Sequence, residues 1–88
     1  MKLIFTDPFK QDYQTLPSDV RRALNKALKF LLANPRHPSL RVKKLPGTSL
    51  WYARISRVYR FTFEYELGVV ILRRAGTYEI LSKERKRL

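Results

Sequence analysis

Residues Tyr59–Glu66 alternate between two kinds of side chain, and this alternation constrains the fold more than any other feature of the sequence. Successive side chains of a β-strand point to opposite faces of the sheet. The pattern therefore predicts a strand with one face on the hydrophobic core and the other face open. The core-facing residues are aromatic: Tyr59, Phe61, Phe63 and Tyr65. The residues of the open face are polar: Arg60, Thr62, Glu64 and Glu66.

The preceding segment has the same alternation, and together the two segments predict how the strands pair. Its apolar set is Trp51, Ala53 and Ile55. Both apolar sets must face one core, and a shift of one residue would turn one of them away. A three-residue loop at 56–58 satisfies this requirement, because it places Ile55 opposite Tyr59. The same pairing places Arg54 directly opposite Arg60.

Two arginines facing each other across a ladder destabilise a sheet. One interpretation is that Arg54 and Arg60 bind an anion on the open face. The other interpretation is that the two side chains are solvated and splayed apart, or are each paired with a carboxylate such as Glu64. The residues by themselves favour neither interpretation. We expect Glu64 and Glu66 to balance the charge of Arg60 locally.

The charge of the chain is large and unevenly distributed. Nineteen Lys and Arg residues stand against seven Asp and Glu residues, which gives a net charge of +12. No carboxylate occurs between Asp19 and Glu64, and residues 34–60 hold seven basic side chains. A surface selected only for solubility mixes both signs. The distribution therefore predicts a polyanionic partner, either a nucleic acid or an acidic protein.

The composition also excludes several classes of protein. The chain has no Cys and one His, which rules out a disulfide framework and argues against Cys-based or His-rich metal sites. We therefore expect neither a metal nor a cofactor. No apolar run approaches the ~20 residues that a membrane helix needs. The first residues read as a strand rather than a signal peptide, so we expect a cytoplasmic protein with no membrane partner.

With 88 residues, the chain is expected to form a single domain over 1–88. A strand at 2–6 is followed by a helix that begins at an Asp7 cap with Pro8 in its first turn. Ser18 is expected to cap a second helix that ends before Pro35. Strands are predicted at 40–45, 50–56, 58–66 and 69–72, and residues 82–88 as a frayed charged tail. The fold class is α+β: an N-terminal strand, a two-helix hairpin, then antiparallel strands in a four-stranded, mostly antiparallel twisted sheet.

The order of these elements, together with several short motifs, resembles the RelE/ParE toxin superfamily over essentially the whole chain. The motifs are Asn34–Leu40, Lys43–Gly47, Trp51–Ile55, Tyr59–Phe61 and Arg74–Tyr78. The resemblance implies a compact toxin that an antitoxin protein neutralises. RelE-like members cleave mRNA without a metal, usually on the ribosome, by attack of a ribose 2′-OH on the adjacent phosphate.

The resemblance also assigns roles to residues of the catalytic site. Arg60 matches the sheet arginine that contacts the scissile phosphate, and Arg54 falls where some members carry a catalytic lysine. Tyr78 stands where several relatives have a histidine, and Arg73 or Arg74 is expected to add a third cation.

The proton acceptor is less clearly indicated. Of all side chains, only His37 has an unperturbed pKa suited to proton transfer at neutral pH. A role in packing its Pro-rich turn is an equal alternative for this residue. The general base therefore remains open.

Three further residues are candidates for contact with substrate. Lys43 and Lys44 are expected to contact phosphates of mRNA or ribosomal RNA, because no acidic residue is near them in the sequence. Tyr52 points away from the core and is expected to contact either substrate or antitoxin.

The sequence therefore predicts a RelE-like endoribonuclease toxin that acts on mRNA at the ribosome and binds an acidic antitoxin. Two alternatives are a ParE-like toxin that inhibits gyrase and a non-catalytic basic RNA-binding module.

Overall fold

The computed structural model describes residues 1–86. Its elements are β1 (Lys2–Phe5), α1 (Asp7–Thr15), α2 (Ser18–Ala33), a 3₁₀ turn (Pro38–Leu40), β2 (Lys43–Lys44), β3 (Trp51–Arg54), β4 (Tyr59–Glu66), β5 (Val69–Thr77) and α3 (Glu79–Lys86). Within this range, no helix has both the length and the apolar character that a membrane crossing requires.

The strands form one sheet in the order β1-β5-β4-β3-β2. The α+β class and the two-helix hairpin are confirmed, and three of the four strand pairings are antiparallel as predicted, but the sheet has five strands rather than four. The fifth strand is β1, which lies at one edge and runs parallel to β5. At the other edge the strand predicted at 40–45 shrinks to two residues. The cause is that Pro38–Leu40 forms a 3₁₀ turn and Arg41 adopts a left-handed backbone conformation, with φ of 48°.

The pairing of β3 with β4 follows the predicted register. Ala53 lies opposite Phe61, Trp51 opposite Phe63, and Arg54 opposite Arg60. Phe61 and Phe63 are fully buried, and α1 and α2 cover this face of the sheet. The predicted core face of α2 is buried throughout and consists of Val20, Leu24, Ala27, Leu28 and Leu31. Burial of each large side chain stabilises the fold by about 1.5–3 kcal/mol.

The helix starts differ from the predicted caps by one residue. Thr6, not Asp7, caps α1, and its Oγ1 accepts a hydrogen bond from the Phe9 N–H at 3.4 Å. The same hydroxyl donates to the Leu72 carbonyl at 2.7 Å, so Thr6 also ties the end of β1 to β5. Ser18 does not cap α2. It is the first helical residue, and Pro17 precedes it without a side-chain cap.

The prediction of a frayed tail is wrong for residues 82–86, which lie in α3, while 87–88 lie outside the described residues. Glu84 explains why α3 docks on the open face of the sheet. Its carboxylate is buried and accepts hydrogen bonds from the Thr62 hydroxyl at 2.9 Å and from Arg73 Nε at 3.3 Å. Thr62 is therefore fully buried, although its place in the alternating pattern predicted a side chain exposed to solvent.

A second, half-buried contact is made by Asp12, which joins α1 to β5. Its two carboxylate oxygens accept hydrogen bonds from Arg74 Nε at 2.7 Å and Nη2 at 3.1 Å. The Ala75 N–H donates to the same carboxylate at 2.9 Å. These hydrogen bonds raise the pKa of Arg74, against the opposing effect of its burial. The Asp12 carboxylate thus accepts hydrogen bonds from both the Arg74 guanidinium and a backbone N–H of β5.

Replacing Asp12 with alanine is expected to lower the free energy of unfolding by about 2 kcal/mol, because Arg74 and the Ala75 N–H lose their acceptor together. In a domain of this size that loss corresponds to a drop in Tm of roughly 10 °C. Thermal denaturation followed by circular dichroism measures it. Glu66→Ala is the matched control, since it removes the same charge from an exposed position and should change stability by less than about 0.5 kcal/mol. Equal losses in both variants would contradict the role of Asp12.

Candidate functional site

A cavity of about 260 Å³ opens on the face of the sheet that α1 and α2 leave uncovered. Four of its lining side chains are cationic, and two others carry phenolic hydroxyls. The lining residues are Arg41, Lys43, Tyr52, Arg54, Arg60, Tyr78 and Leu81. We call this the cationic cavity. It brings together five residues that the sequence predicted for the site: Lys43, Tyr52, Arg54, Arg60 and Tyr78.

Backbone carbonyls orient Arg60. Its Nη1 donates to the carbonyls of Ser56 at 2.7 Å, Tyr59 at 2.9 Å and Arg57 at 3.3 Å. The 56–58 loop between β3 and β4 therefore holds one nitrogen of the guanidinium in place.

The expectation that Glu64 and Glu66 balance Arg60 is wrong. Glu64 lies 3.5 Å from Arg73 Nη1 instead, and Glu66 forms no ion pair with any described residue. Arg60 thus keeps its charge without a carboxylate partner in the described part of the chain.

Arg54 faces Arg60 in the β3–β4 ladder, and both line the cationic cavity. No carboxylate is among the lining residues of the described chain. Pairing of each arginine with a carboxylate is therefore not found among the described residues, which leaves the bound anion and the two solvated, splayed side chains as the interpretations of this pair. Like charges this close repel each other, and an anion bound between them relieves the repulsion.

The same loop also positions Tyr78, which follows the last residue of β5. The Tyr78 N–H donates to the Val58 carbonyl at 3.0 Å. Tyr78 is 58% exposed and lines the cavity, so a ligand bound there can contact it. Arg60 and Tyr78 are thus held by adjacent carbonyls of one short loop.

The structure does not bring His37 into the cationic cavity. Its ring stacks on Phe30 with 4.1 Å between centroids and 4° between planes. Its Nδ1 accepts a hydrogen bond from the Ser39 N–H at 3.2 Å and lies 2.7 Å from the Ser39 hydroxyl. These contacts match the alternative role of His37, in which it packs and caps its own turn.

Three other candidates also lie outside the cationic cavity. Arg73 forms ion pairs with Glu64 and Glu84, and Arg74 is held by Asp12. A β-bulge in the pairing of β4 with β5 leaves Arg73 as the extra residue of β5, between the partners of Thr62 and Phe63. The Lys44 ammonium lies over the ring of Trp51, 5.9 Å from its centroid.

Two lining residues were missed from the sequence. Arg41 lies in the acid-free segment, which was a signal, but its left-handed backbone conformation was not predictable there. Leu81 belongs to α3, a helix that the sequence did not indicate.

The arrangement suits one kind of chemistry. Four cations around a small cavity can bind a phosphate group and stabilise additional negative charge on it. Guanidinium and ammonium groups supply no proton acceptor at neutral pH, and no His or carboxylate lines the cavity among residues 1–86. The described residues also hold no group of three or more His, Asp or Glu side chains placed to ligate a metal ion.

Comparison with known proteins shows similarity in structure alone. No protein-family model matches the sequence, and a search of curated proteins finds no match. Among solved structures, a YoeB/ParE toxin from Agrobacterium tumefaciens superposes with a TM-score of 0.75 at 20% identity, over 89% of this chain and 99% of that one. A double mutant of the E. coli toxin RelE in the free state gives 0.70 at 25% identity, over 98% and 95%.

RelE in an antitoxin–toxin complex with RelB from Methanococcus jannaschii gives a TM-score of 0.70 at 19% identity, over 92% of this chain and 96% of that one. The matches extend over nearly the full length of each toxin and include its helices and its sheet. The chain therefore has the fold of the RelE, YoeB and ParE toxins, which is the fold that the order of its sequence motifs led us to expect.

Proposed function

We propose that this protein is the toxin of a type II toxin–antitoxin pair and that it cleaves mRNA on the ribosome, in the cytoplasm. The observation that carries the proposal is the facing pair Arg54 and Arg60 in a cavity that no described carboxylate lines. The toxin fold of the related structures supports the first part of the proposal. The cavity supports the second, because a phosphodiester is the anion that its cations suit best.

In the proposed reaction, a ribose 2′-oxygen attacks the adjacent phosphorus while its proton leaves, and the bond to the 5′-oxygen of the next nucleotide breaks. The products are a 2′,3′-cyclic phosphate and a 5′-hydroxyl. The pentavalent intermediate carries more negative charge than the substrate. Arg54 and Arg60 stabilise that charge, since the planar guanidinium matches the geometry of phosphate oxygens. Arg60 is oriented before RNA arrives, because loop carbonyls already hold its Nη1.

Tyr78 is the candidate general acid. Tyr78 is exposed and lines the cavity, and in the proposed reaction its hydroxyl donates a proton to the departing 5′-oxygen. A base is not among the described lining residues. We therefore propose that the ribosome or the RNA itself accepts the 2′-hydroxyl proton, so that the protein supplies only the charge-stabilising and proton-donating groups.

The partner that neutralises the toxin is proposed to be an acidic antitoxin. The related structure from Methanococcus jannaschii contains a RelB antitoxin. The charge of +12 and the seven basic residues of 34–60 favour an acidic protein that covers the cationic cavity. Covering Arg54 and Arg60 would block RNA and at the same time neutralise the like charges of the sheet.

Replacing Arg60 with alanine is expected to lower the rate of mRNA cleavage by about 10²-fold, the usual effect of losing one preorganised donor to a developing oxyanion. Primer extension on mRNA from cells that express the protein measures cleavage, and growth curves measure toxicity. Arg22→Ala is the control, since it removes an exposed arginine from α2 and should cut like the unmodified protein. Arg60→Lys keeps the charge but loses the planar guanidinium with its several N–H donors. We expect its cleavage rate to lie between those of Arg60→Ala and the unmodified protein.

Three outcomes of this experiment would contradict the proposal. Cuts that persist in folded Arg60→Ala protein would remove the cavity from the reaction. Toxicity with DNA damage and no mRNA cuts would favour the gyrase-inhibiting alternative. RNA binding that falls steeply with salt, without toxicity or cleavage, would favour a non-catalytic RNA-binding module.

The missing base leads to a separate expectation about the ribosome. Purified protein mixed with naked mRNA should cut it at least about 10²-fold more slowly than the same mRNA programmed into ribosomes, since a positioned base contributes about that factor. Gel analysis of 5′-labelled mRNA measures both rates. Equal rates would show that the chain contains its own proton acceptor.

A further inference from the structure

A second, larger cavity of about 700 Å³ lies beside the Pro-rich loop that follows α2. Arg36, Arg41, Trp51 and Tyr65 are among its lining residues. We propose that this cavity binds a nucleobase of the same RNA strand whose phosphate occupies the cationic cavity. The proposal rests on the proposed function, and it adds a site for a neighbouring nucleotide.

The cavity presents two aromatic rings from the margin of the core, Trp51 and Tyr65. Trp51 and Tyr65 meet edge to face, with 5.7 Å between centroids and 69° between planes. Tyr65 is 37% exposed and Trp51 is half-buried. Phe61 and Phe63, which lie on the same face of the sheet, are fully buried. Partly exposed rings that line a cavity provide the stacking surface that unpaired bases need.

Cations surround these rings. Arg36 and Arg41 line the cavity, and the Lys44 ammonium lies 5.9 Å from the centroid of Trp51. Burial raises the pKa of Tyr65, and the positive charge of nearby Arg36 lowers it by less. The Tyr65 hydroxyl is therefore protonated at neutral pH and can donate a hydrogen bond. No carboxylate is found among the described lining residues.

The loop that forms one wall is held in a defined conformation. Asn34 Oδ1 accepts a hydrogen bond from the Arg36 N–H at 3.0 Å, and the His37 ring stacks on Phe30. Pro35 and Pro38 restrict the backbone further. The wall is thus formed before a ligand binds, which reduces the entropic cost of binding. This gives a purpose to His37 and to the Pro-rich motif that the cationic cavity leaves unused.

Arg41 connects the two sites, because it lines both cavities. It lies just before β2, the short edge strand. A single strand that passes this edge can place a phosphate in the cationic cavity and a flanking base against Trp51, with Arg41 between them. Arginines would serve an acidic peptide equally well, but the exposed aromatic rings favour a nucleotide.

Trp51 is the only tryptophan of the chain, so its fluorescence reports on this cavity directly. The probes are adenosine monophosphate and a trinucleotide RNA with a 2′-deoxy residue at the cleavage position. We expect saturable quenching by both. Tyr65→Ala and Arg36→Ala should each weaken trinucleotide binding about tenfold, the effect of losing one stacking or cationic contact. Arg22→Ala on α2 should leave binding within about twofold, as expected for a distant charge.

Arg60→Ala separates this proposal from the proposed function, since Arg60 lines only the cationic cavity. It should lower cleavage by about 10²-fold and leave quenching by adenosine monophosphate unchanged. Absence of Trp51 quenching, with cleavage intact, would overturn the base site alone. Quenching by an oligoglutamate peptide but not by RNA would assign the cavity to a protein partner and also overturn it. Equal losses in Arg22→Ala and Arg36→Ala would show non-specific attraction, and melting curves check that the variants fold.

Discussion

The pairing register of β3 with β4 determines where the core and the functional side chains lie. Ala53 opposite Phe61 directs the aromatic residues toward α1 and α2, and the same parity places Arg54 and Arg60 on the other face. A slip of one residue that turned β4 over would bury Arg60 and expose Phe61, and one that turned β3 over would bury Arg54 and expose Ala53. Burying each charge would cost several kcal/mol, so the core enforces the position of the cationic cavity.

This dependence explains which parts of the molecule were predictable. Alternation along β4 reports on the faces of one strand, and a second alternating segment supplies the register. Neither alternating pattern indicates whether another element packs on the open face of the sheet. The helix α3 is short and highly charged, and its docking depends on buried Glu84 and its hydrogen bond with Thr62. A glutamate in a basic tail reads as solvent-exposed until its partners, 22 and 11 residues away, are known.

The site was predictable to the extent that strand geometry positions it. Arg54, Arg60 and Tyr52 share the cationic cavity because they share one face of adjacent strands. Arg73 was not assignable, because a bulge and a long-range ion pair take it elsewhere. Arg41 was not assignable either, since its contribution depends on a left-handed backbone residue at a loop end.

In the proposed function, the open face of the sheet binds RNA through the facing pair Arg54 and Arg60. Nitrogen–proton NMR of the arginine side chains tests it most directly, during titration with an uncleavable RNA trinucleotide that carries a 2′-deoxy residue. We expect the Nε–H signals of Arg54 and Arg60 to shift with one common saturation curve, while those of Arg21 and Arg22 on α2 stay in place. Shifts confined to α2, or uniform small shifts at every arginine, would contradict it.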